Sequence, residues 1–390
     1  MRKQRLALSV MPGKGLAEAI LKQEEVMSRP ILLFVLMGSM LGTATAQGTV
    51  VRAYLYNSSA HSIVVKYPYE APSETLPVRP SLTLTGTDLS NGNYDLVVRL
   101  EARGQSLHEE KANIRVVNGS FEKGFELQQS YPAADTVSWE LSAPNQSRLA
   151  GRATLKWSHF YGRVKYLSGK PRLTYIHLLP VTWGDPGDIY VPVADDGMFD
   201  AQVPSRVYGV INVNGAGYRF DSLERWAWDY DLTRDREDTF TIGRIEVYGM
   251  HAYHINGGPP TVFVAFRPTS LTRVLKYDAD GNGILDESEM KTMLEASKNS
   301  PTVLGPELRA ENVKVWFDGE SLPILRFDMV PEAEGDGKWQ VDYILQIAPH
   351  DWKHIVGGWH EIKLEVSSQE ELRGTKMTDW GQGSVGFLMP

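Results

Sequence analysis

Between Asp278 and Glu289 the chain reads Asp-Ala-Asp-Gly-Asn-Gly-Ile-Leu-Asp-Glu-Ser-Glu. Oxygen donors recur along this run: the carboxylates of Asp278 and Asp280, the carboxamide of Asn282, the backbone carbonyl of Ile284, then the carboxylates of Asp286 and Glu289. A hard divalent cation takes six to eight such oxygens, and this spacing wraps them around one centre. Gly283 supplies the sharp turn that the wrapping needs. Four converging carboxylates repel one another, and a divalent cation relieves that repulsion. The loop is therefore expected to be loose without metal and ordered with it.

A loop of this kind needs rigid arms. Leu271, Val274 and Leu275 fall on one helical face before it, and Met290, Met293 and Leu294 on one face after it. Ser270 is placed to cap the first helix, and Pro301 bars extension of the second. Loop and arms together resemble the EF-hand family. The resemblance implies Ca2+ as the cofactor, with Asp278, Asp280, Asn282, Ile284, Asp286 and Glu289 as ligands. It also implies a paired loop beside Leu285. No second loop exists: Asp195-Asp196-Gly197 and Asp336-Gly337 lack the downstream acidic ligand and read as turns. Either Leu285 and the methionines pack on a neighbouring sheet, or two chains pair their loops. An inserted element already has an apolar surface beside it, which favours packing.

Other chemistry is thin. The sequence holds no Gly-x-Ser-x-Gly elbow, no His-Glu-x-x-His, no phosphate loop and no dinucleotide fingerprint, so no residue is assigned to catalysis. His251 and His254 are three apart, which on a strand sets them on opposite sides; His350 and His354 would need a helical turn to chelate. Trp226, Trp228 and Tyr230 alternate, so on a regular strand they share one face. That face is either a platform for sugar rings or the inner face of a sandwich.

Residues 27–46 have the form of a secretory signal: Arg29, an apolar run from Ile31 to Met40, and Ala44-Thr45-Ala46 as the cleavage motif, with Met27 as the start. The apolar run is shorter than the ~20 residues of a spanning helix, so no membrane span is expected in the mature chain. Removing 1–46, which carries six Lys/Arg against three Asp/Glu, takes the formal net charge from −8 to −11. That acidity disfavours nucleic acid and anionic membrane. The chain has no cysteine, so an exported protein of this sequence relies on apolar cores or on metal in place of disulfides.

Most of the remaining chain reads as short strands between turn signals. Residues 47–147 show them at Val50 to Tyr56, Ser62 to Tyr67, Asn93 to Ala102, Ala112 to Val117 and Val137 to Leu141, with hairpin turns expected at Asn91-Gly92 and Asn118-Gly119. The stretch Asn91 to Arg103 resembles immunoglobulin-like and fibronectin-like modules. Residues 148–238 order Gly162-Arg163-Val164, Ser168-Gly169-Lys170-Pro171, Asp195-Asp196-Gly197-Met198-Phe199 and Gly217-Tyr218, with Val181 to Tyr190 as an insertion. This order resembles the carboxypeptidase regulatory-like, transthyretin-like sandwich, which implies scaffolding or binding and no peptidase activity. The run Arg234-Asp235-Arg236-Glu237-Asp238 reads as a solvated connector closing that unit. Residues 239–390 resume with Ile242 to His254, Thr261 to Phe266, Val313 to Phe317, Ile324 to Met329, Trp339 to Ile347, His360 to Val366 and Ser384 to Leu388. There Gly358 to Leu364 resembles a late immunoglobulin-like strand.

The expected fold is mainly β: three consecutive antiparallel β-sandwiches, the last with an EF-hand helix-loop-helix inserted at about 268–298. The expected role is a secreted or periplasmic, calcium-binding, non-enzymatic module with calcium as a structural staple and an unknown protein or carbohydrate as partner. The alternative is an accessory or catalytic component of extracellular polysaccharide or peptide processing.

Overall fold

Period-two alternation of apolar residues becomes strands along nearly the whole chain, because each strand then has one face to bury. The computed structural model describes residues 50–57, 62–65, 74–77, 79–144, 146–167, 174–180, 188–215, 218, 221–255, 260–282, 285–334, 337–349 and 357–389. The expected leader 1–46 lies outside them, as do His350, His354 and the Ser168 to Pro171 turn. The fold is mainly β and built from packed sheets, with a helix pair inserted late in the chain. No helix among the described residues is long and apolar enough to cross a membrane.

The first sandwich packs a sheet of β1 (Val50–Tyr56), β4 (Ser81–Thr87) and β7 (Phe121–Glu126) on a second of β6 (Gln105–Val116), β5 (Gly92–Ala102), β8 (Thr136–Ser142) and β9 (Leu149–Thr154). A two-stranded pair, β2 (Ser62–Val65) with β3 (Glu74–Pro77), lies between β1 and β4 in sequence. Along β5, Tyr94, Leu96, Val98 and Leu100 face inward and are at most 3% exposed. Leu55, Leu84, Val137 and Trp139 meet them from the other strands.

Of the two expected hairpin turns, one fails and the other forms as a turn between sheets. Asn91-Gly92 is no hairpin: β4 and β5 belong to different sheets, and the Asn91 side chain accepts a hydrogen bond from Gly119 N at 3.0 Å. The hairpin lies one strand later at Arg103-Gly104, both at positive φ, 50° and 79°. Asn118-Gly119 does turn tightly, closed by two Val117–Ser120 hydrogen bonds of 3.1 Å, but it too passes between sheets. The boundary at 147/148 also moves. Leu149 to Thr154 pairs with β8, and Leu155 joins the first core, so that unit runs past 147.

The second and third units share a sheet. Its strand order is β12 (Ile189–Pro192), β11 (Tyr175–Leu179), β14 (Arg206–Asn214), β15 (Arg225–Leu232), β24 (Thr375–Met389), β23 (Gly358–Leu372), β19 (Val313–Phe317) and β20 (Glu320–Leu322). Its first half covers a sheet of β13 (Met198–Pro204), β10 (Trp157–Tyr166) and β16 (Arg236–Ile242) across a core with Phe160, Phe199 and Phe240. Its second half covers β17 (Ile245–Tyr253), β18 (Val262–Ser270), β22 (Lys338–Ile347) and β21 (Ile324–Glu334) across a core with Val264, Tyr343 and Leu364. The halves join where β15 runs parallel to β24, Trp226 opposite Gly383 and Trp228 opposite Val385.

The charged run before residue 239 is therefore no connector. From Arg236 it is strand β16, parallel to β10, and the close approach depends on Gly162: a Cβ there would lie 1.9 Å from the Asp238 carbonyl oxygen. Two of its charges, Arg236 and Asp238, are half-buried against the shared sheet. Arg236 donates to Asp238 at 3.1 Å and to Glu361 at 2.6 Å, and the Tyr230 hydroxyl donates to Asp238 at 2.6 Å. Arg225, 3% exposed, donates to Ser384 Oγ at 2.9 Å. Burial pushes its guanidinium down to about 10. The partners Glu361 and Ser384 lie more than a hundred residues away, so local composition gives no sign that these charges are paired.

Candidate metal centre

The expected metal segment follows β18 directly. Ser270 ends that strand and caps α1 (Leu271–Leu275), its hydroxyl accepting from Arg273 N at 3.2 Å. The C-terminal hairpin clamps this short helix at two points. Asp379 on β24, 0% exposed, accepts from Arg244 Nε at 2.7 Å, Ser270 Oγ at 2.6 Å, Thr272 N at 3.0 Å and Thr272 Oγ1 at 2.8 Å. Glu370 on β23 accepts from Arg273 Nε at 2.8 Å and Ser368 Oγ at 2.8 Å, with Lys276 Nζ at 3.5 Å. A carboxylate with several donors is stable in the interior because its lost hydration is replaced. Neither clamp was among the expected site residues, since its two sides are about a hundred positions apart.

Beyond the loop, α2 (Glu287–Ser297) opens with a reciprocal cap. Asp286 Oδ1 accepts from Glu289 N at 2.8 Å, and Glu289 Oε2 accepts from Asp286 N at 2.9 Å. The helix ends before Pro301, as the sequence requires. Leu271, Val274 and Met293 are buried; Leu275, Leu285, Met290 and Leu294 are half-buried. The first helix packs on β18 and β23 and the second on β22, all within the third unit. The apolar arm residues thus meet the sheets of their own chain.

Three of the expected ligands converge. One carboxylate oxygen from each of Asp278, Asp280 and Glu289 lies within 4.8 Å of the others. Oxygens sharing one divalent cation of calcium's size at about 2.3–2.6 Å can stand no more than about 5 Å apart, and the triad meets that limit. Asp278 is 4% exposed, and its Oδ1 accepts from Gly281 N at 2.8 Å and Asn282 N at 3.1 Å, which fixes the carboxylate from its own loop. Asp280 Oδ2 accepts from Asn282 Nδ2 at 2.8 Å, so Asn282 sits beside the triad. Glu289 Oε1 accepts from Ala279 N at 2.6 Å, tying the end of the loop to its start.

Asp286 is not in the triad, because its side chain caps α2. The ninth loop position often reaches its ion through a water, a role that leaves the cap in place. Gly283 and Ile284 lie outside the described residues.

The aromatic row is not formed. Trp226 is 1% and Tyr230 2% exposed, and Trp228 is half-buried. The expected single face fails at Asp229, whose φ of 47° inserts a left-handed residue and breaks the alternation. Trp226 and Trp228 stack at 5.8 Å with Tyr248 edge-on to both, beside Leu179 and Val210. Tyr230 joins the second core instead.

No known family profile matches the chain, and no curated protein matches it. Among solved structures it is similar to a DUF3823 family protein from Parabacteroides merdae, at 10% identity and TM-score 0.18 over 59% of this chain and 98% of that one. It is also similar to a bacterial adhesin from Mobiluncus mulieris, at 9% identity and TM-score 0.15 over 53% and 89%. A third likeness is to BcpA, the major pilin subunit of Bacillus cereus, at 7% identity and TM-score 0.16 over 50% and 70%. Likenesses this low carry no argument about this chain.

Proposed function

We propose that this protein is an exported calcium-binding module, non-enzymatic, that binds a protein or carbohydrate outside the cell, with calcium as a staple of its third sandwich. Asp278, Asp280, Asn282, Ile284 and Glu289 hold the ion directly, and Asp286 acts through water. The observation that carries the reading is the convergence of Asp278, Asp280 and Glu289 on one point, in a loop whose flanking helices pack on their own domain. A staple fits better than a sensor, because α1 is held by Asp379 and Glu370 in a fixed position. With an extracellular-type dissociation constant of ~0.1–1 mM, calcium at ~1 mM stabilises the fold by about 0.4–1.4 kcal/mol.

Thermal melting of the full chain tests this. Calcium raises the midpoint over a chelator-treated sample, magnesium raises it less, and Asp278→Ala removes the calcium increment. Identical melts in calcium and chelator overturn the reading. The carbohydrate-processing alternative gains nothing from Trp226, Trp228 and Tyr230, since two of the three are buried on opposite faces of their sheet.

A further inference from the structure

We propose that Arg373 couples the metal loop to the C-terminal hairpin, so that calcium binding at Asp278 tightens the turn between β23 and β24. The inference rests on the calcium reading above. Arg373 and Gly374 form the two-residue tip of that hairpin, with φ of 51° and 79° and Leu372 paired to Thr375. A turn with both central residues at positive φ has one backbone shape, which fixes where the Arg373 side chain departs.

That side chain reaches the loop. Its Nη2 donates to the Asp278 carbonyl oxygen at 2.5 Å. Its guanidinium also lies against Gly281, at φ 76°, where an added Cβ would come within 2.6 Å of Nη1. Asp278 therefore faces two ways: its carboxylate belongs to the triad and its carbonyl holds the hairpin tip.

The same hairpin carries Asp379 and Glu370, which hold α1. The metal segment is thus fastened to β23 and β24 ahead of Asp278 and at Asp278 itself. When metal is absent, repulsion among the carboxylates loosens the loop, the Asp278 carbonyl shifts, and the tip loses that anchor. When metal binds, the carbonyl is fixed and the tip closes. Coupling of this kind is reciprocal: whatever calcium does for the tip, Arg373 does for calcium affinity.

Hydrogen exchange on the full chain, with 1 mM CaCl2 against EGTA, reads this directly, while calorimetry on the same samples reads calcium binding. In the wild type, calcium slows exchange at 368–378 by roughly tenfold, within the range usual for coupled sites, and leaves the Arg103-Gly104 hairpin unchanged. In Arg373→Ala that calcium-dependent protection disappears, and the calcium dissociation constant rises by a comparable factor. Arg373→Met keeps the aliphatic stem and loses the donor, so it behaves like Ala and serves where the Ala variant folds poorly. Calcium heat with equal exchange at 368–378 in both conditions overturns the coupling alone. Protection that survives in Arg373→Ala or Arg373→Met overturns it as well. No calcium heat in the wild type overturns the metal reading, and the coupling with it.

Discussion

Two charged runs in this chain have opposite histories. Asp278 to Glu289 places its charges at fixed intervals and folds into a loop whose ligands come from itself. Arg234 to Asp238 is charged at every position, and from Arg236 it becomes a strand whose half-buried charges find partners elsewhere. Arg236 finds Glu361, and Asp238 finds Tyr230. The difference lies in where the compensating groups are encoded. In the loop they are local, so spacing alone reveals them. In β16 they are supplied by the shared sheet, and only the fold brings them together.

The largest effect that would sharpen this contrast comes from the anchor of the metal segment. Asp379→Ala removes a fully buried carboxylate and leaves Arg244, Ser270 and Thr272 without their acceptor, at a cost of about 3–5 kcal/mol in urea unfolding. A loss below 1 kcal/mol would break the claim that the hairpin clamps α1. Next is the strand network. Asp238→Ala should cost about 2–4 kcal/mol, because Arg236 and Tyr230 lose a buried partner.

Asp238 also gives the network a pH signature. Burial pushes its carboxyl up, but Arg236, Lys363, the Tyr230 hydroxyl and Arg225 together outweigh burial and hold it below the usual carboxylate range. A depressed folded-state value means that its contribution is present above the unfolded value near 4 and is lost as pH falls through the folded one. Unfolding followed between pH 6 and 2 should show a steeper acid loss in the wild type than in Asp238→Asn. The smallest expected effect is at Asp229, where glycine accepts the left-handed backbone that an aspartate strains to adopt. Asp229→Gly should stay within about 0.5 kcal/mol of the wild type in urea unfolding, because the relief of the backbone is offset by a freer unfolded chain.

What the sequence made legible follows the same division. Alternation at Tyr94 to Leu100 and at Val341 to Ile347 marked strands, because burial period and strand period agree. Ser270 and Pro301 marked the helix limits through their own backbone chemistry. The mainly β sandwich class followed from those local signals. Asn91-Gly92 misled because the residues that permit a hairpin turn equally permit a crossing between sheets. The aromatic row failed on one positive φ at Asp229, and nothing in Trp-Ala-Trp-Asp-Tyr announces it. The sharing of one sheet by two units depends on β15 meeting β24 over a separation of about 150 residues, a parallel contact with no turn to signal it.

The central claim, that Asp278, Asp280 and Glu289 hold calcium, is met most directly by titrating the full chain with calcium and with magnesium in a calorimeter. The account predicts one calcium site per chain with a dissociation constant of ~0.1–1 mM, weaker magnesium binding, and no calcium heat in Asp278→Ala. An absence of calcium heat in the wild type, or an unchanged isotherm in Asp278→Ala, would contradict it.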